Sequence, residues 1–228
     1  MIKIHGKDVP TELAELVDPR ITALLVVDVQ NDFCSPGGLA DRAGADLTMY
    51  RSVIPRIAAL AACCRDTGVP VVNVQMLTLK NGASDSPSWL RVRLRANKNF
   101  NPDNHGIYDF TVEGTWGAEL VPELNADKSD FYVSKFRSSA FHKTALDVLL
   151  RSNGIRNVLI TGCTTEGCVE STVRDACFYD YFPVLITDCV ASDVLELHEA
   201  SLRVMSAYRT DVATSTQVME VWQRSKKE

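Results

Sequence analysis

No stretch of this chain approaches the roughly 20 consecutive apolar residues that a membrane-spanning helix needs, and its opening MIKIHGKDVP lacks the long apolar core of a secretory signal. There is no excess of positive charge. Lys and Arg number 24 against 29 Asp and Glu, a net charge of -5, which argues against nucleic-acid phosphates or an anionic membrane surface as partner. The seven cysteines are an odd number in a chain too long to need stapling, and no pair has zinc-ribbon or zinc-finger spacing. Histidine is scarce, with His5, His105, His142 and His198 scattered along the chain. Internal repeats, linkers and low-complexity tracts are absent. The expectation is a cytoplasmic protein with free thiols, one domain spanning 1–228, and no metal or other cofactor.

What is present is an alternation of short β-rich apolar runs and helical patterns. ITALLVVD (21–28), VPVVNVQM (69–76), DFYVSK (130–135), RNVLITG (156–162) and FPVLITD (182–188) read as strands, some nearly continuously apolar as strands buried on both faces are. IPRIAALAACCRDTG and HKTALDVLLRSNG read as helices with a Gly stop. CVESTVRDACFYDY places Val169, Val173, Ala176 and Cys177 on one helical stripe, ELHEASLRVMSAYR adds a further helix, and TDVAT a sixth strand. Such alternation implies an α/β fold, a Rossmann-like three-layer α/β/α arrangement around a six-stranded, mainly parallel sheet. Residues 77–129, rich in Gly, Pro, Asn and Asp, read as a long excursion that serves as lid or interface. The basic cluster RVRLRANK (91–98) reads as a solvated loop face or a lid.

In open parallel sheets ligands bind beyond the carboxyl ends of the strands. Asp28 closes the first strand, Lys135 closes the third, and Cys168 opens the helix after the fourth. Taken singly, each has an ordinary structural reading: turn former, solvated charge, small buried hydrophobe. Converging at one edge, they make an apparatus for nucleophilic attack. A helix start and a nearby ammonium favour a thiolate at Cys168. Cys163 is expected to contribute backbone rather than sulfur, Cys34 to lie in the loop after Asp28 near the site, and Cys63, Cys64, Cys177 and Cys189 to be structural. The loop GCTTEG can aim backbone N–H groups at an oxyanion.

LLVVDVQNDFCSPGG, SKFRSSAF and TGCTTEGCVESTVRDA together resemble the isochorismatase-like cysteine hydrolases, over about residues 20–222. The resemblance implies a Cys168–Asp28–Lys135 triad, with Cys168 as nucleophile, Asp28 as base and Lys135 orienting both. It also implies a cis peptide before Thr164 and an oxyanion hole from the N–H groups of Thr164 and Cys168, and a homo-oligomer, tetramer or dimer. The metal-binding Asp and His set of the nicotinamidase branch has no counterpart in VVNVQMLTLKNGASDSP. Vinyl-ether-cleaving isochorismatases lack the nucleophilic cysteine that this chain has. EGTWGAELVPEL, LRSNGIRNVLITG and CVESTVRDA are similar to the ureido amidohydrolases.

The expected activity is hydrolysis of a C–N bond in a small ureido compound such as biuret, guanylurea or ureidoacrylate, with release of ammonia. An N-carbamoyl amino acid or maleamate amidase, or a non-enzymatic member of the fold, stays open. Candidate substrate-binding residues are Gln30, Asn31, Phe33, Gln75, Trp89, Arg91, Phe141 and Glu166, with Phe136 as a further apolar wall; Gln75, Trp89 and Arg91 each have an ordinary structural alternative. Glu166 facing the pocket suits a cationic substrate, and Arg91 or Arg137 facing it suits an acid. The more ordinary reading of Glu166 is an outward-facing charge on the first helical turn.

Overall fold

The computed structural model describes residues 1–96 and 109–225. An N-terminal antiparallel hairpin, β1 (Ile2–Ile4) and β2 (Lys7–Val9), precedes α1 (Leu13–Leu16). The main sheet then follows: β3 (Thr22–Val27), β4 (Val71–Met76), β5 (Phe131–Lys135), β6 (Asn157–Cys163), β7 (Phe182–Ala191) and β8 (Asp211–Ala213). Its order is β5-β4-β3-β6-β7-β8 and every pairing is parallel. The helices are α2 (Asn31–Cys34), α3 (Leu39–Arg42), α4 (Thr48–Thr67), α5 (Pro87–Ala96), α6 (Leu146–Ser152), α7 (Glu170–Phe178), α8 (Leu195–Tyr208) and α9 (Ser215–Ser225).

Central β3, TALLVV, is buried at all its positions, so its apolar run is continuous and its two faces fill different layers by simple alternation. Leu24 and Val26 pack with Ile54, Ile57 and Leu60 of α4 and Trp222 of α9. Ala23, Leu25 and Val27 pack with Leu146 and Leu150 of α6 and Val173 and Ala176 of α7. The α/β/α layers follow from that two-sided burial. Helix α4 begins well before the apolar stretch that marks it in sequence, carries Pro55 inside, and stops at Gly68 with φ 76°.

Strand order decides where a site can form. From β3 the chain builds outward through β4 and β5 on one side, while β6, β7 and β8 build on the other. The loops after β3 and β6 therefore diverge, and a crevice opens at that switch point. Gly162 keeps its walls close. At φ 111°, with an added Cβ falling 1.9 Å from the Val27 carbonyl oxygen, this position excludes every side chain.

The described residues of the excursion fold back on the sheet. Thr78 bridges to Val112 and Gln30 to Leu120, and Val121 N–H bonds the Val29 carbonyl at 3.1 Å. The expectation of a solvated loop for RVRLRANK is corrected over its first residues, which lie in α5. Ser86 Oγ accepts the Trp89 N–H at 3.2 Å with Pro87 at the first helical position, a start signal written in SPSW. The end of that cluster and the middle of the excursion lie outside the described residues. Among the described residues no helix is long and apolar enough to cross a membrane.

Gly162→Ala is expected to lower the unfolding free energy by about 2 kcal/mol or more, measured by urea denaturation; an unchanged midpoint would show that the β3–β6 approach does not need a glycine.

Candidate active site

The ends of β3, β5 and β6 meet at a buried ammonium. Lys135 is the last residue of β5, in register with Met76 of β4, and its side chain reaches over that strand toward β3. Its Nζ lies 3.6 Å from Met76 Sδ, 2.8 Å from Asp28 Oδ2, 3.2 Å from Cys168 Sγ and 3.2 Å from the Arg137 carbonyl oxygen. Only a long flexible cation can span a strand in this way, and Lys135 and Asp28 are both 0 % exposed. Asp28 follows β3 in left-handed backbone, φ 54°, a conformation Asp tolerates better than most residues. Although ion-paired, neither of its buried oxygens accepts a well-directed hydrogen bond.

Cys168 does not open a regular helix. Gly167 and Val169 N–H groups both bond the Thr164 carbonyl at 3.1 Å, and Thr165–Val169 form a single π-helical turn before α7 begins at Glu170. The Cys163–Thr164 peptide bond is cis. Thr172 Oγ1 bonds the Cys168 carbonyl at 2.7 Å and accepts the Ala140 N–H at 3.0 Å, locking the turn to the segment after β5.

The thiolate expectation is corrected. Burial pushes the Cys168 thiol up to about 12, the Asp28 charge adds to this, and Lys135 opposes it. Burial also raises the Asp28 carboxyl, against the pull of Lys135 and Cys168. Burial works against the Lys135 charge, but Asp28 and then Cys168 outweigh it and raise its pKa. One ion pair beside a neutral thiol leaves the trio with no net charge, whereas ionising the half-buried sulfur would add an uncompensated one.

Several polar residues that read as pocket residues serve the scaffold instead. Gln30 is 0 % exposed; its amide donates to the Met76 and Ala118 carbonyls at 2.9 and 2.8 Å and accepts the Met76 N–H at 2.8 Å. Both amide N–H groups are spent, and the side chain has no exposed surface to offer a ligand. Asn31 is likewise buried, donating to the Trp116 carbonyl at 2.9 Å and accepting from Ser35 at 2.8 Å. Gln75 donates to the Ala118 carbonyl at 3.1 Å. Arg91 is exposed on α5. Phe141 is a core residue, stacked 5.3 Å from Tyr179. Phe33 and Phe136 are half-buried, with Phe33 set edge-on against Phe110 at 4.3 Å.

Glu166 neither faces outward nor joins the trio. Burial raises its carboxyl, a Ser192 hydrogen bond opposes this, Asp193 and Glu170 add to the rise, and Oε2 is sealed from water. Cys163 contributes its sulfur after all: Sγ donates to the Asp28 carbonyl at 3.1 Å and lies 3.9 Å from Cys34 Sγ, which sits in α2 rather than a loop. Asp32 carried no sequence signal beyond its place in QNDF. Its buried carboxylate accepts the Leu39 and Thr111 N–H groups at 3.0 and 2.7 Å, and it packs where a side chain on Gly117 would stand. Trp89 is half-buried, under the Arg137 guanidinium at 5.1 Å. Among the described residues no group of His, Cys, Asp or Glu is placed to hold a metal ion.

Chemically, the trio can move a proton from sulfur to carboxylate without changing its net charge. Asp28→Asn removes the like charge and leaves Lys135 beside the thiol, so the Cys168 pKa falls. Iodoacetamide labelling of Cys168 at pH 8 is expected to be slower in the wild type than in Asp28→Asn, read by mass spectrometry; the opposite order would refute this placement of the proton.

Comparison with known proteins agrees with this architecture. The Isochorismatase domain matches residues 22–217. A ureidoacrylate amidohydrolase RutB of Methylobacterium radiotolerans is 37% identical over 191 residues, 82% of this chain and 73% of its own. The crystal structure of an isochorismatase family protein from Desulfovibrio vulgaris superposes with a TM-score of 0.73 at 30% identity, covering 90% of this chain and 100% of that one. A cysteine hydrolase from Pseudomonas syringae pv. phaseolicola shares the fold, with a TM-score of 0.75 at 24% identity over 91% of this chain and 94% of its own. By domain match and by sequence identity, this chain belongs to the isochorismatase family.

Proposed function

We propose that this protein is a cysteine-dependent amidohydrolase that cleaves a C–N bond of a small ureido compound. The observation that carries the reading is the Lys135 ammonium, 2.8 Å from Asp28 and 3.2 Å from Cys168, together with kinship to a ureidoacrylate amidohydrolase. In the first half-reaction Cys168 Sγ attacks the ureido carbonyl carbon as its proton passes to Asp28. The carboxylate can take it because its lone pairs are not engaged by well-directed donors, and Lys135 stays cationic beside the sulfur that gains charge. The backbone N–H groups of Thr164 and Cys168 are the proposed donors to the carbonyl oxygen as it becomes an oxyanion. Collapse breaks the C–N bond, and the leaving nitrogen takes the proton from Asp28 and departs as ammonia or an amine.

The second half-reaction repeats the geometry with water. Asp28, again a carboxylate, accepts a water proton as the oxygen attacks the carbamoyl or acyl thioester; Cys168 leaves as a sulfur held by Lys135 and regains its proton from Asp28. Each transfer stays inside a set of groups with constant net charge, so no step adds an uncompensated charge beside the buried Asp28–Lys135 pair.

Ammonia release from biuret, guanylurea, ureidoacrylate and N-carbamoyl amino acids tests this. A substrate turned over by the wild type is expected to lose at least about 10³-fold in kcat with Cys168→Ala; near wild-type turnover in that variant would rule out the nucleophile. We further propose a homo-oligomer, dimer or tetramer, in which the excursion covers a neighbouring subunit's site. Light scattering at micromolar concentration is expected to give a multiple of the 25.2 kDa chain mass, and a monomer would remove the proposal.

A further inference from the structure

Helix α8 grips the turn that carries Cys168 from outside. His198 and Ser201 stand three residues apart on that helix, so their side chains share one face. His198 Nδ1 lies 2.8 Å from Thr165 Oγ1. Ser201 Oγ donates to Glu170 Oε2 at 2.5 Å and lies 3.4 Å from the Thr165 carbonyl oxygen. Thr165 opens the π-helical turn, is 0 % exposed, and directly follows Thr164, the proposed source of one oxyanion donor. Bonds inside the turn run elsewhere: the Thr164 carbonyl takes the Gly167 and Val169 N–H groups and passes over that of Cys168. Thr172 and Lys135 hold the Cys168 side. The Thr165 side chain is held from α8.

Counting protons sets the roles in the His198–Thr165 bond. The Thr165 hydroxyl carries one proton and has no exposed surface, and among the described residues His198 Nδ1 is its acceptor within reach. A buried hydroxyl proton without an acceptor is unfavourable, so Thr165 donates and the imidazole accepts. That requires the neutral ring, with its own proton on Nε2. Burial favours the same form, lowering the His198 pKa against the pull of Glu199. On a cationic ring both nitrogens would donate, and the Thr165 proton would have no acceptor.

Resting on the amidohydrolase reading above, we propose that His198 is a positioning residue of the reaction: as a neutral acceptor it holds Thr165, and through Thr165 the Thr164 N–H and the Cys168 sulfur, in the geometry that attack needs. It acts through the turn and takes no part in proton transfer. Its effect falls on the transition state. An oxyanion donor helps where charge develops, and a displacement of about 1 Å forfeits much of that help. The substrate's ground state carries no such charge, so loss of the contact lowers kcat and leaves KM nearly unchanged.

Steady-state ammonia release from a substrate that the wild type hydrolyses tests the assignment. His198→Leu, which keeps bulk and removes the acceptor, and Thr165→Val, which removes the donor, are each expected to lose about tenfold or more in kcat with KM held within about twofold. His198→Asn, whose side-chain oxygen can stand near the place of Nδ1, is expected to recover most of that loss. The double variant should be no worse than the more impaired single one, because both changes remove the same bond. At neutral pH the ring-nitrogen NMR signals of His198, assigned by their disappearance in His198→Asn, should show a bare Nδ1 and a protonated Nε2. Near wild-type kcat in His198→Leu, a His198→Asn enzyme as impaired as His198→Leu at equal stability, additive losses in the double variant, or a proton on Nδ1 would each overturn the proposal. Hydrolysis abolished by Cys168→Ala but untouched by His198→Leu would leave the amidohydrolase reading intact and remove only the role of His198. A wild type without hydrolysis would remove the reading and the role together.

Discussion

An ammonium with no exposed surface organises this molecule. Taking a lysine head group out of water costs several kcal/mol, and it is tolerable only where opposite charge and well-placed acceptors replace the lost hydration. Lys135 meets that condition with Asp28 Oδ2 at 2.8 Å, the Cys168 sulfur and the Arg137 carbonyl at 3.2 Å. The requirement runs backward through the fold. Strand β5 must end beside β4, β4 beside β3, and β6 must deliver its loop on the far side of β3, or the cation is left unpaired. The same arrangement makes the site chemical, because the neutral thiol beside an ion pair can be ionised by moving one proton a short way within a closed set.

A second layer of bonds holds those strand ends in place. Gln30 ties β4 to the segment around Ala118 with both amide N–H groups and its oxygen, and Asp32 joins Leu39 and Thr111 through its carboxylate. Cys163 anchors the backbone carbonyl of Asp28 from the β6 side. The described end of the excursion, which in sequence is only a stretch of weak periodicity, is tied to the segment after β3 by these side chains. Polar residues next to a nucleophile are therefore not automatically substrate ligands: a buried loop has its own donors and acceptors to satisfy, and here that demand absorbs Gln30, Asn31 and Gln75.

The fold and the convergence of the trio were legible in the chain. Strands buried on both faces read as continuous apolar runs, β3 foremost, and helices between them show their own period, so an α/β sheet follows from local patterning. Asp28, Lys135 and Cys168 stood out because a charged or nucleophilic residue immediately after such a run lands at the carboxyl edge of the sheet. Helix α5 has a local signal too, the Ser-Pro start at Ser86 and Pro87, while its partner surface has none.

Tertiary structure alone decided everything that depends on which backbone groups meet. That Gln30 caps β4, that Phe141 stacks on Tyr179 in the core, that burial raises the Glu166 carboxyl and that Cys168 carries its proton at rest are consequences of burial and of neighbours distant in sequence. So is the stacking of the Arg137 guanidinium on Trp89. The sequence by itself determined the layers, the strand ends and the kinds of reactive group placed there, because hydrophobic period is local. Which of those groups ionise, and which polar side chains remain free for a ligand, was decided only in the folded chain, because desolvation and hydrogen-bond satisfaction are properties of the assembled surroundings.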